Sequence, residues 1–239
     1  MKTVVLMTAT LLFSVTQVEA QDVQIPQIGV EAPSFTAMST NGKINFPADF
    51  GDHWKVVLSH PKDFTPVCSS ELLELAHAQE SFAELNAKLL VVSTDIMEQH
   101  ESWKKALERV NYKERSPVRI EFPLVADDDL KVSKKYGMIH SQTSVKENIR
   151  GVYYIDPDNI VRAIQFYPIE VGRNVEEIQR ALVALQTVDK KPNRATPANW
   201  QAGEDLLVPV LSQEEKERID RPGSPLYQYS WFLVFEKYR

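Results

Sequence analysis

Between Trp54 and Val188 the chain alternates short β-rich runs with amphipathic stretches, and this alternation restricts the fold more than any other feature. Trp54 to Ser59 (Trp-Lys-Val-Val-Leu-Ser) reads as a central strand. Thr65 then suits a helix N-cap, and Pro66 suits the first helical position, where its missing N–H costs nothing. Leu72, Leu75, Ala76, Ala78 and Phe82 carry an apolar stripe along a helix to about Leu85. Lys88 to Ser93 reads as the next strand and Glu98 to Val110 as the next helix. Phe122 to Val125 is a short strand, and Asp129 to Tyr136 is a helix stopped by a left-handed Gly137. Arg150 to Ile155 and Ile160 to Tyr167 form a hairpin about Pro157-Asp158-Asn159. Asn174 caps a helix to about Val188, with Glu176 and Glu177 in its first turn. Upstream, Ser34 to Phe46 alternates weakly around Asn41-Gly42, a hairpin signal. Strands interleaved with helices predict an α/β domain.

The two ends have a different texture. Lys2, an apolar run from Val4 to Val15 and Val18-Glu19-Ala20 describe a secretory signal peptide over residues 1–20. The run is too short for an ordinary membrane span. Cleavage after Ala20 would export the protein, periplasmic or secreted, with no stable membrane insertion. From about Lys190, prolines 192, 197, 209, 222 and 225 punctuate a stretch with little periodicity. It closes on an aromatic tail, Tyr227 to Tyr238, that includes Trp231 and Phe232. Such a tail is expected to pack on its own domain or on a second subunit. The net charge of −6 is spread without a basic block, which argues against nucleic acid or anionic membrane as a partner.

Cys68 is the only cysteine, so no disulfide can form within the chain. It falls at the third helical position after Thr65-Pro66, among N–H groups that lack intrahelical partners. Those amides and the positive end of the helix dipole favour an anion there, and the thiolate is the nucleophilic form of cysteine. In an exported protein a leftover thiol is reactive or a dimer crosslink. The plainer possibility is a small buried hydrophobe.

The run Pro61-x-x-x-Thr65-x-x-Cys68, with Phe64 and Pro66, resembles the active-site signature of the peroxiredoxins, thiol enzymes that reduce hydroperoxides. Further matching segments follow in order: Ser59-His60 before it, then Phe122 to Asp127, Ile149 to Asp156, Val171 to Asn174, and Ala195 to Trp200. The position of the usual resolving cysteine, ahead of Pro197-Ala198-Asn199-Trp200, holds Thr196. The chain is therefore similar to the one-cysteine class with a long C-terminal arm. The resemblance implies a thioredoxin-like fold over residues 26–189 and a C-terminal extension over 190–239. It implies a peroxidase forming a Cys68 sulfenic acid, restored by an external thiol, either a small thiol or a thioredoxin-type protein. It also implies a homodimer or higher oligomer, and no cofactor or metal.

Roles follow from the same likeness. Arg150 is the cation expected beside the sulfur. Thr65 is expected to donate its hydroxyl to the sulfur and steer the peroxide. Glu71, three residues past Cys68 on the same helical face, is expected to hold Arg150. Pro61 and Pro66 would shield and stiffen the loop. His60 either orients peroxide or is a core histidine, and Arg173 is an outer cation or a surface arginine. His53, His77, His100 and His140 share no metal-ligand spacing and read as solvated or structural. Trp54, Phe82 and Tyr153 read as core. Some one-cysteine members carry a Gly-x-Ser-x-Gly phospholipase stretch. Here it is Gly51-Asp52-His53-Trp54-Lys55, without the serine, so that activity is not expected. Two other readings stay open from the residues: a non-catalytic thioredoxin-like chaperone or interaction protein, and a cysteine hydrolase using His60 as base.

Overall fold

A computed structural model describes residues 25–219 and 221–238; the expected signal peptide lies outside them. The leading hairpin forms as the Asn41-Gly42 signal predicts, with β1 (Phe35–Ser39) and β2 (Gly42–Phe46) antiparallel. The central strand β3 (Trp54–Ser59) leads through the Cys68 loop into α1 (Pro66–Glu84) and then β4 (Ala87–Ser93). There follow α2 (Met97–Leu107), β5 (Leu124–Ala126), α3 (Lys131–Lys135), β6 (Arg150–Ile155), β7 (Val161–Tyr167) and α4 (Val175–Lys190). Helices α2 and α3 are shorter than their patterns suggest. Gly137 has the positive φ expected of a helix stop. Asn174 caps α4 by accepting from the Glu177 N–H.

The strands make one mixed sheet in the order β2-β1-β5-β4-β3-β6-β7. β3 lies parallel to β4 and antiparallel to β6. Every residue of β3 is buried, as a strand covered on both faces must be. The period-2 alternation then sorts its side chains. Val56 and Leu58 join Leu89, Val91, Val152 and Tyr154 under α1, α2 and α4. Val57 joins Leu90, Val92, Tyr153 and Ile155 on the opposite face, with Phe46, Val132 and Tyr136. Each fully buried aliphatic side chain contributes roughly 1.5–3 kcal/mol. Lys55 is a charged exception on β3. Its buried ammonium donates to Asn159 Oδ1 at 2.7 Å and to the carbonyls of Asp156 and Pro157, stapling the β6–β7 turn to the central strand. The last residue of the Gly51–Lys55 stretch thus serves the fold.

The arm is more regular than its sequence suggests. β8 (Leu206–Leu207), β9 (Leu226–Ser230) and β10 (Leu233–Glu236) form a second, three-stranded sheet, and α5 (Gln213–Arg218) carries a capping box from Ser212 and Glu215. Arg194 ties the arm together through Glu215 at 2.8 Å and Glu236 at 2.7 Å. Val208, Leu226 and Val234 make its small core. Of the two expectations for the tail, Trp231 and Phe232 do not meet the first: they stand at the β9–β10 turn 83% and 70% exposed rather than packed on their own domain. No helix among the described residues is long and apolar enough to cross a membrane.

Candidate active site

Thr65 is the N-cap residue of α1 with extended backbone and Pro66 occupies the first helical position, which puts Cys68 at the third. Phe64, immediately before, takes a positive φ of 57°, a strained conformation for a bulky residue, and is 55% exposed. Cys68 itself is fully buried.

Strand pairing delivers the cation. β6 runs antiparallel beside β3, and the Ser59 hydroxyl stitches their ends by donating to Ile149 O at 2.7 Å and accepting from Gly151 N at 2.8 Å. Arg150 lies between those two contacts. Gly151 is tightly enclosed: a Cβ there would fall 2.9 Å from Tyr153 Cε2 and 3.0 Å from Ser59 Oγ, so its neighbours would have to shift. Arg150 Nη1 donates to Cys68 Sγ at 3.3 Å and to Glu71 Oε2 at 2.8 Å. Its Nε donates to Ile169 O at 2.9 Å.

Arg173, ahead of α4, is buried and grips the same carboxylate. Its Nε and backbone N–H donate to Glu71 Oε1 at 2.8 and 2.7 Å, its Nη2 to Oε2 at 2.7 Å, and its Nη1 to Gly151 O at 2.7 Å. Burial pushes the Glu71 carboxyl up, but Arg173 and then Arg150 outweigh it and hold the group below its ordinary 4.5. Glu71 is thus a fixed anion between two guanidiniums, and Arg173 belongs to the site rather than to the surface.

Thr65 departs from expectation. Its hydroxyl donates to Lys62 O at 2.9 Å, closing the loop on itself, and makes neither a cap bond nor a bond to the sulfur. The nearby backbone carbonyl is the stronger acceptor for that proton. Pro61 is buried at the base of the loop, whereas Pro66 is exposed.

His60 is fully buried at the end of β3, where it meets Asp63, a residue with no role in the sequence reading, and His100, which is structural rather than solvated. Asp63 Oδ1 lies 2.8 Å from His60 Nε2, and Asp63 Oδ2 lies 2.7 Å from His100 Nδ1. Asp95 joins them by accepting the Asp63 backbone N–H at 2.9 Å. His60, Asp63 and Asp95 bring donor atoms within 4.8 Å of one another, the spacing a cation would need. His60 Nε2, Asp63 Oδ1 and the Asp95 carboxylate are already engaged in hydrogen bonds with one another, with Ser93 and with Gln99. The His60–Asp63 spacing of three residues was the one available signal; nothing in the sequence linked His100 to it.

Comparison with known proteins identifies the family. Residues 28–164 match the model of the AhpC/TSA family, and residues 184–221 match the C-terminal domain of 1-Cys peroxiredoxin. A peroxiredoxin of Methanosarcina mazei is 41% identical over 216 residues, covering 89% of this chain and 98% of its own. A 1-Cys peroxiredoxin of Dictyostelium discoideum is 39% identical over 200 residues, covering 83% and 80%. Among solved structures, a yeast mitochondrial 1-Cys peroxiredoxin superposes with a TM-score of 0.78 at 34% identity, covering 89% of this chain and all of that one. Peroxiredoxin 6 of Arenicola marina follows with a TM-score of 0.77 at 29% identity, covering 89% and 98%. With a single cysteine on a thioredoxin-like fold and a matching C-terminal domain, the chain belongs to the peroxiredoxins of the AhpC/TSA family, in the one-cysteine class, and is a thiol-dependent peroxidase.

Proposed function

We propose that Cys68 is the peroxidatic thiolate and that Arg150, held by Glu71 and Arg173, stabilises it and the charge that builds on the departing oxygen. The observation that carries this reading is the single guanidinium nitrogen shared by Cys68 Sγ and Glu71 Oε2. The thiolate attacks one oxygen of a hydroperoxide; the O–O bond breaks, leaving a sulfenic acid on sulfur and an alkoxide or hydroxide that takes up a proton. Hydrogen peroxide and small organic hydroperoxides fit a thiol reached through one loop. Pro61 stiffens that loop. Thr65 fixes the loop's closed form through Lys62 O.

One external thiol then condenses with the sulfenic acid, releasing water, and a second reduces the mixed disulfide to free Cys68. The yeast relative is described as resolved through glutathione and thioredoxin systems, which favours a small thiol or a thioredoxin-type protein here. A homodimer is favoured by the outer edge of β7, which pairs with no named strand among the described residues, and by the exposed Trp231 and Phe232 of the arm. Export follows from residues 1–20 and leaves Gln21 as the first residue.

Intact mass spectrometry of the mature protein tests these steps together. One equivalent of peroxide should add one oxygen to wild type and none to Cys68→Ser, and a suitable thiol should remove it. Retained Met1 would overturn the export reading, and a monomer by light scattering the dimer. Peroxide turnover by Cys68→Ser would overturn the assignment of the thiol.

A further inference from the structure

Two buried atoms near the Cys68 loop play no part in the chemistry above. Asp63 Oδ2 and His100 Nδ1 lie 2.7 Å apart, yet neither has a hydrogen-bond partner among the described residues. They meet at an angle, off the line along which a ring N–H would donate. His100 Nε2 donates to Val125 O at 3.1 Å, and a neutral imidazole with its hydrogen on Nε2 has a bare lone pair on Nδ1. Two lone-pair atoms thus stand side by side in the protein interior. That arrangement costs free energy unless a cation faces both.

Ligands about 2 Å from one metal ion stand roughly 3 Å apart and point at the ion rather than at each other. His60, Asp63 and Asp95 each bring a donor atom within 4.8 Å of the other two, and His100 Nδ1 adds a fourth against Asp63. The surroundings have the form of an outer shell. His100 gives its second ring nitrogen to a backbone carbonyl, and Asp95 accepts from Ser93 Oγ at 2.8 Å and from Gln99 Nε2 at 2.9 Å. Asp95 Oδ1, which takes the Gln99 bond, keeps a second lone pair. Asp95 also lines a cleft of about 450 Å³ in which its carboxylate, Asp128 and Glu147 outnumber Lys62 and Lys146, a route from solvent that favours a cation. We propose that His60, Asp63, Asp95 and His100 form a site for a divalent first-row transition ion. Two imidazoles with two carboxylates suit a zinc-type ion, whereas calcium and magnesium prefer oxygen alone. The four residues come from the end of β3, the Cys68 loop, the turn after β4, and α2, so a bound ion ties that loop to the sheet and a helix.

Titration calorimetry with zinc chloride tests the site without relying on activity. The full chain is used in a Cys68→Ser background, so that the thiol takes no metal. One ion should bind per chain. Asp63→Asn and His100→Gln should each weaken binding at least about tenfold. His140→Gln, whose ring packs on Phe166, should leave it unchanged. X-ray absorption of the zinc-loaded chain reads the ligands directly and decides the matter even where a variant fails to fold. It should show two imidazoles together with oxygen donors. No saturable binding, an affinity that neither cluster variant moves, an equal loss in His140→Gln, or a spectrum without imidazole would overturn the proposal and leave a proton as the cation between Asp63 and His100.

Discussion

Arg150 Nη1 lies 3.3 Å from Cys68 Sγ and 2.8 Å from Glu71 Oε2, so one nitrogen joins the thiol to a buried carboxylate. Removing that donor should be costly because it acts where water is excluded. Arg150→Met is expected to slow single-turnover peroxide consumption about 10²–10³-fold, as for loss of one preorganised donor. Arg150→Lys should recover little, since an ammonium cannot span sulfur, Glu71 and Ile169 O with one planar fork. Stopped-flow rates within about threefold of wild type for either variant would refute the role.

Glu71 is the anion that Arg150 and Arg173 share. Glu71→Gln leaves two buried guanidiniums facing an amide, and breaking a buried pair in this way costs about 3–5 kcal/mol. At roughly 2–4 °C per kcal/mol for a domain of this size, thermal unfolding should shift down by on the order of 10 °C. Calorimetry showing an unchanged midpoint would mean the pair is better solvated than its burial implies.

Much of the fold and part of the site are legible in the amino-acid sequence. Val56, Val57 and Leu58 sit in a run that only a two-sided strand buries, and Asn174 with Glu176 and Glu177 marks the start that α4 adopts. Cys68 at an amide-lined first turn follows from Thr65-Pro66 alone. What escapes depends on contacts between residues remote in sequence. Asp63 meets His100 far along the chain, and Thr65 prefers a carbonyl three residues back to a sulfur three residues ahead. The arm's sheet escapes for another reason: β8 is two residues long and prolines interrupt the pattern around it, so no periodicity could announce it.

Gly151 is a packing requirement that only the structure reveals. In Gly151→Ala the new methyl would meet Tyr153 and Ser59 Oγ at 2.9 and 3.0 Å, and Ser59 is the stitch that fixes Arg150. Overpacking of this kind costs about 1–3 kcal/mol. The expected result is a lower unfolding midpoint together with slower peroxide reaction, because Arg150 and the Arg173 contact to Gly151 O both shift. A variant that loses stability but keeps the wild-type rate would show that the strain is absorbed on the Tyr153 side.

Acid should destabilise the fold in two stages, set by groups in and beside the site. Burial holds the His60 imidazole below its ordinary 6.5, against the opposing pull of Asp63. As pH falls through that ordinary value, the unfolded chain binds a proton that the native chain refuses, and stability drops. Glu71 is held below 4.5 because Arg173 and Arg150 outweigh the effect of burial, and Asp63 below 3.8 because His100 and His60 do the same. Their contributions are complete above those values and are lost as pH falls through the lower native ones. Denaturant midpoints measured from about pH 7 to about pH 3 should therefore decline first below roughly 6.5 and again below roughly 4.5. His60→Asn should flatten the first limb and Glu71→Gln the second. Limbs of unchanged slope in both variants would place the acid sensitivity elsewhere in the chain.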